Sequence, residues 1–237
     1  MKIDLIISCE DIKENKIQDK VVVVIDMLRA TTVIVTAIKN GCSKVIPLLT
    51  VEEAFEISKS NDEEYILGGE RRAMKIDGFH CSNSPLEYTE HVVKDKTILI
   101  TTTNGTRAIK GSSSAKTILI GAMINGRAVA EKLAELNEDV VFVNAGTYGQ
   151  FSMDDFICSG YIIDCILGKR EAELSDIAFT AHHSYEAHQD IFSFIKGARH
   201  YNVLMDLGLE KDLQYCCQKG ITDVIPYFKN GIIKRLE

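Results

Sequence analysis

The feature that most limits what this chain can become is a rhythm. An apolar run, a short polar turn and an amphipathic stretch follow one another again and again. Its first statement is "VVVVID", "MLRA" and "TTVIVTAIKNG". The valines read as a strand. Val33, Ile34, Ala37 and Ile38 then recur at helical spacing, and Gly41 stops the helix. β-branched residues lower helix propensity, so burial must hold this helix in place.

The same rhythm continues in "VIPLL" before "VEEAFEISKS", where Thr50 and Glu53 have capping-box spacing. "EYILGGE" is a strand entering a turn, and "SPLEYTEHV" starts a helix with Ser84 as N-cap, Pro85 at N1 and Glu87 at N3. "KTILITTTNGTRAIKG", "AKTILIGAM" with "INGRAVAEKLAELN", and "EDVVFVNAGTYGQFSMDDFICSGYIIDCILG" are further rounds, the last with Ser152 as cap. Residues 175–219 read as mostly helical, and "DVIPYFKNGIIKRL" as a closing hairpin that turns at Asn230-Gly231.

Strands alternating with helices predict an α/β fold: a mixed or mostly parallel sheet covered by helices. The 237 residues fit one domain, 1–237, or two lobes of roughly 1–125 and 126–237. Ligands of such sheets sit beyond the carboxyl ends of the strands, so the polar turns are expected to gather at one edge and form one cleft.

Composition removes several classes. With 46% hydrophobic and 26% charged residues the chain can build an ordinary core, and a net charge of −7 argues against a broad nucleic-acid face. An acidic protein can still hold an anion where its arginines are gathered. No apolar run approaches the roughly 20 residues of a membrane span, and the N-terminus lacks a signal-peptide layout. A soluble, cytoplasmic protein with no membrane or nucleic-acid partner is expected. The seven cysteines form no CxxC pair and none has an arginine six positions on, so free thiols are expected rather than a disulfide scaffold or a cysteine-phosphatase loop. "AHHSYEAH" lacks HExxH spacing, and its histidines read as a polar helix face.

Four turns carry candidate chemistry. In the first, Asp26 at a strand end suits a divalent-cation ligand or a nucleophile, Arg29 supplies a cation, and Thr31 and Thr32 offer hydroxyls and free amides at a helix start. The structural alternative is that Thr31 caps the helix while Asp26 and Arg29 form an ion pair. In the second, Gly68 and Gly69 bend the chain before Glu70, Arg71, Arg72 and Lys75. Adjacent arginines point different ways, so one of Arg71 and Arg72 is expected to face a site, where a guanidinium grips phosphate or sulfonate oxygens bidentately. The third holds Thr102, Thr103, Asn104, Gly105, Thr106 and Arg107, an anion-binding turn without Walker spacing or, equally, a plain Asn-Gly turn. The fourth holds Gly146, Thr147, Asp154 and Asp155. Asp155 either complements a helix dipole or completes an all-oxygen site with Asp26 and Glu70, a set that favours Mg²⁺.

"DMLRATT", "GGERRAMKIDGF", "NSPLEYT", "TTNGTRA", "NAGT" and "FSMDDFICSG" occur in an order that resembles the 2-phosphosulfolactate phosphatase family, with a looser likeness through "LMDLGLEKDLQYC" and "VIPYF". The resemblance implies that family's α/β arrangement with a central cleft. It also implies a Mg²⁺-dependent phosphatase that converts 2-phospho-3-sulfolactate to sulfolactate and phosphate, a step toward coenzyme M. Its motif positions fall here on Asp26, Arg29, Thr31, Thr32, Glu70, Arg71, Arg72, Asn83, Ser84, Asn104, Gly105, Thr106, Arg107, Gly146, Thr147 and Asp155. His80, Cys81 and Ser82, Asn144 and Asp154 depart from the pattern.

The expectation is then that Asp26, Glu70 and Asp155 hold Mg²⁺ while Arg29 and Arg107 balance charge during phosphoryl transfer. Thr31, Thr32, Arg71, Arg72, Asn83, Ser84, Thr103, Asn104, Gly105, Thr106, Gly146 and Thr147 bind the small anionic substrate. The attacker is metal-bound water or Asp26 itself. Two rivals stand beside this: a phosphatase for another 2-phospho-hydroxy acid, motivated by residues 80–82, and a non-catalytic binder of phosphorylated or sulfonated acids. A homodimer is expected without an interface signal behind it.

Overall fold

The computed structural model describes residues 1–60 and 63–237. Among these, eleven strands form one sheet: β1 Lys2–Ile6, β2 Val21–Ile25, β3 Lys44–Leu48, β4 Tyr65–Arg71, β5 Met74–Lys75, β6 Thr97–Thr101, β7 Thr117–Gly121, β8 Val140–Asn144, β9 Glu173–Leu174, β10 Pro226–Lys229 and β11 Ile232–Arg235. Their order is β5-β4-β6-β3-β11-β10-β7-β2-β8-β1-β9. The α/β class and the mixed, mostly parallel sheet thus match the reading of the sequence.

The β10–β11 hairpin, which turns at Asn230 and Gly231 with positive φ at both, joins two parallel blocks. β4, β6 and β3 form one block, and β7, β2, β8 and β1 the other. Three antiparallel pairings in succession (β3–β11, β11–β10, β10–β7) reverse strand direction between the blocks. The polar turns therefore do not lie along one edge of one parallel sheet. They reach a common cleft from two opposed blocks.

β2 explains how packing achieves this. All five of its side chains are buried, as a central parallel strand requires. Val21, Val23 and Ile25 face the helix Met153–Leu167, while Val22 and Val24 face the helix Ala30–Lys39. Each such side chain contributes roughly 1.5–3 kcal/mol by leaving water. The second cluster also takes in Val45, Ile66, Ile98 and Ile100 from the other block, so one core is shared by both. This shared burial holds Ala30–Lys39 helical despite its β-branched residues, since Ala30 to Ile38 are all buried.

Local details differ from expectation at two caps. Ser84 caps no helix: Pro85–Glu87 is a single 3₁₀ turn, followed by Glu90–Val93, and the Ser84 hydroxyl is drawn to a distant acid described below. Ser152 precedes its helix without a side-chain cap and donates to Asp154 instead. The Thr50 cap does form, accepting from the Glu53 amide at 3.1 Å. β1 was not anticipated. The seven cysteines are free, and no described helix is long and apolar enough to cross a membrane.

Candidate active site

A small cleft of about 50 Å³ lies at the carboxyl ends of β2, β4, β6 and β8. It gathers Asp26, Arg29, Glu70, Arg72, Asn83, Thr103, Asn104, Gly146, Thr147 and Asp155 of the residues expected from sequence. Five polar side chains not singled out as site residues join them, Tyr148, Ser152, Asp154, Arg199 and His200, along with the apolar Leu28, Ala73 and Val203.

The acids divide by what their oxygens touch. Glu70 accepts from the Thr103 amide at 2.7 Å and the Ala73 amide at 2.9 Å, one on each oxygen. Asp155 accepts from the Met27 amide at 2.8 Å and the Gly146 amide at 3.0 Å. These two carboxylates therefore stitch the cleft walls together, and they occupy the Thr103 and Gly146 amides, which are then closed to a phosphate. Asp26 differs. One oxygen accepts weakly from the Ala30 amide at 3.3 Å, and no hydrogen bond reaches the other from any described residue. Asp154 has one oxygen on the Ser152 hydroxyl at 2.6 Å.

Burial drives the Asp26 carboxyl up to about 7, against the Ala30 amide that lowers it; the neighbouring charges of Glu70 and Asp154 push it further the same way. Burial, then Asp154 and Asp26, raises Asp155 well above the usual carboxylate range. Burial lowers His200, so its imidazole is held neutral near pH 7.

Backbone geometry brings the third turn against this acid. A Cβ on Gly105 would lie 2.7 Å from Asp26 Oδ2 and 2.6 Å from the Ala30 Cβ, so only glycine allows that approach. Arg72 is exposed at the cleft with φ 52°, a left-handed conformation that costs a non-glycine residue free energy.

Other expected residues have different work. The Thr31 hydroxyl donates to the Asp26 carbonyl and accepts from the Asp26 amide, which fixes Asp26 from behind, and Thr32 donates to the Met27 carbonyl. Thr106 donates to the Thr102 carbonyl. Arg71 points away, to the Thr101 hydroxyl and the Leu49 carbonyl, so Arg72 is the one of the pair that lines the cleft. Arg107 is exposed and pairs with Glu10 at 2.7 Å, outside the cleft lining. The ion pair between Asp26 and Arg29 does not form, because Arg29 meets Asp212 at 2.6 Å. Residues 80–82 also lie outside the cleft lining: His80 Nδ1 accepts from the Leu67 amide, and Ser82 bonds Glu87. Asn144 is buried beneath it, accepting from Ser159.

Among the described residues no group of three His, Cys, Asp or Glu side chains could hold a metal by itself, so Asp26, Glu70 and Asp155 do not form a three-carboxylate cage. Mg²⁺ does not require one. It is ordinarily held by one or two carboxylates with waters and substrate phosphate completing an oxygen shell. Asp26 and Asp154, crowded like charges in one cleft, fit that mode.

Arg199 and His200 were missed because a short charged run in a helical tail reads as a solvated face. Asp212 falls within the looser family likeness "LMDLGLEKDLQYC", the one signal that pointed to it.

Fold and cleft together define a class: an α/β protein whose strand ends wall an acidic pocket set with arginines. The family model described as 2-phosphosulpholactate phosphatase matches residues 6–231. A protein of Clostridium novyi (strain NT) called "Probable 2-phosphosulfolactate phosphatase" is 64% identical over 228 residues, 96% of this chain and 97% of that one. A namesake in Clostridium acetobutylicum is 60% identical, covering 98% of this chain and all of its own length. One in Clostridium botulinum (strain Eklund 17B / Type B) is 57% identical with full coverage of both. The chain belongs to the 2-phosphosulpholactate phosphatase family, a family of phosphoric monoester hydrolases by its name.

Proposed function

We propose that the protein hydrolyses 2-phospho-3-sulfolactate to 3-sulfolactate and phosphate with Mg²⁺, a step toward coenzyme M. The observation that carries this is the Asp26 carboxylate, which lines the cleft with one oxygen free of hydrogen bonds from any described residue and is crowded by Asp154 and Glu70. A pure anion binder gains nothing from acids placed beside its ligand, and a cation relieves their repulsion. Asp26 and Asp154 hold the ion. When bound, it acts as a Lewis acid on the phosphoryl oxygens.

The chain's own groups supply the rest. Arg29, 1% exposed, sits at the cleft wall, where a desolvated guanidinium best stabilises charge that develops on a transferring phosphoryl group. Asp26 is either the nucleophile or the orienter of an attacking water, and neutral His200 on the opposite element can take up a proton. Arg72 and Arg199 have no acidic partner among the described residues and lie at the cleft, suited to the sulfonate of the substrate. Because residues 80–82 lie away from the cleft, their departure from the family pattern gives no ground for a different hydroxy acid.

A phosphate-release assay over phosphorylated 2-hydroxy acids, with and without Mg²⁺, tests this. 2-Phosphosulfolactate should rank first and require the ion. Tight binding of that compound without phosphate release would leave only the binder.

A further inference from the structure

We propose that Asp212 is the positioning residue for the Arg29 guanidinium, so that the helix Glu210–Cys216 sets the geometry of a cleft it does not line. The inference rests on the phosphatase reading for its kinetic arm alone.

Asp212 is 2% exposed and uses both oxygens. Oδ2 accepts from Arg29 Nη1 at 2.6 Å, and Oδ1 accepts from the Ser84 hydroxyl at 2.7 Å. Arg29 Nη2 donates to the Ala73 carbonyl at 2.9 Å. With both terminal nitrogens fixed, the plane of the guanidinium is fixed, and with it the direction of the remaining Nε–H. That Nε–H is buried and has no partner among the described residues. Asn83, adjacent to Ser84, is in the same condition: its Oδ1 is buried without a partner among the described residues, and the residue lines the cleft.

A folded protein rarely leaves a buried donor and a buried acceptor unpaired unless something else satisfies them. Here one belongs to the guanidinium that Asp212 Oδ2 holds, and the other to the residue next in the chain to Ser84, which Asp212 Oδ1 holds. The pair suits a ligand offering both chemistries: an anionic oxygen to accept from Arg29 and a hydroxyl or water to donate to Asn83. A buried ion pair serving stability alone gives no reason for two unpaired groups beside it. Nor does it need the Ser84 link.

The test is a double-mutant cycle on phosphate release from 2-phosphosulfolactate, with unfolding temperatures measured in parallel. Asp212→Asn keeps the shape and one of the two acceptor oxygens, but it removes the charge that orients Arg29 and turns an NH₂ toward Arg29 or Ser84. It should lower kcat/KM about 10–100-fold, the size of effect a misplaced group has. In an Arg29→Met background, which removes the guanidinium, the same change should cost less than about threefold more, because coupled residues are not additive. The double variant carries no unpaired buried charge and should recover thermal stability while activity stays lost, a split that a purely structural role would not give. If Asp212→Asn fails to fold, Ser84→Ala takes its place in the cycle, with an expected loss of about 3–10-fold that vanishes without Arg29.

A second cycle, read as calorimetric affinity for inorganic phosphate, is independent of turnover. Should the wild type release no phosphate from 2-phosphosulfolactate, the catalytic reading falls and this cycle still decides Asp212. Losses that multiply independently in either cycle, or wild-type behaviour of the single variant, overturn the proposal.

Discussion

Glu70 Oε1 accepts a hydrogen bond from the Thr103 amide at 2.7 Å, joining the end of β4 to the turn after β6 across the cleft wall. Its other oxygen holds the Ala73 amide at 2.9 Å, beside the left-handed Arg72. A carboxylate is required here because both bonds need acceptors. Glu70→Gln turns an NH₂ toward one amide, and an unsatisfied buried donor should lower the unfolding temperature by about 3–10 °C. Phosphate release should fall about 10–100-fold through misplaced walls. Unchanged melting with lost activity would mean that Glu70 acts directly on substrate or metal instead.

Asp26 gives a prediction with a sign in pH. Its folded-state value is raised to about 7, so the native protein binds a proton more tightly than the unfolded chain does. Its contribution to stability is full below the ordinary carboxylate value near 4 and is lost as pH rises toward 7. Asp26→Asn cannot ionise, and without metal it should melt about 3–8 °C higher than wild type at pH 8. At pH 4 the two should melt together. Mg²⁺ should then stabilise the wild type at pH 8 and leave the variant unmoved. A variant that is less stable at pH 8 would show that burial of the Asp26 charge is not costly.

Arg107 pairs with Glu10 on the surface, outside the cleft lining, although its motif invites a catalytic role. Arg107→Ala should change kcat/KM by less than about threefold, as befits an exposed pair. A larger loss would return this arginine to the site.

Arg72 and Arg199 are read as the hold on the second anionic group. Arg72→Ala or Arg199→Ala should lower kcat/KM for 2-phosphosulfolactate about 10–100-fold, the worth of a charged hydrogen bond. The loss for 2-phospholactate, which lacks the sulfonate, should be small. Equal losses on both substrates would assign these arginines to the phosphate.

The strand–turn–helix rhythm was legible because hydrophobic period is a local signal: β2, β6, β8 and their following helices lie where the residues place them. Asp26, Glu70, Asn104 and Gly146 reached one cleft for the same reason, since each sits at the end of a readable strand. The direction reversal was not legible. It depends on β10 and β11 pairing with β7 and β3, contacts more than one hundred residues apart in sequence. Nor was the sorting of side chains. Whether Arg71 or Arg72 enters the cleft turns on a left-handed residue in a β4–β5 connection, and whether Ser84 caps a helix turns on Asp212, 128 residues away.

The most direct measurement compares wild type with Asp26→Asn for phosphate released from 2-phosphosulfolactate in Mg²⁺, both proteins verified as folded. The expected result is steady turnover by the wild type that vanishes on chelation, and a loss of at least about a thousandfold in the variant. Comparable turnover by the two proteins would contradict a reaction centred on Asp26.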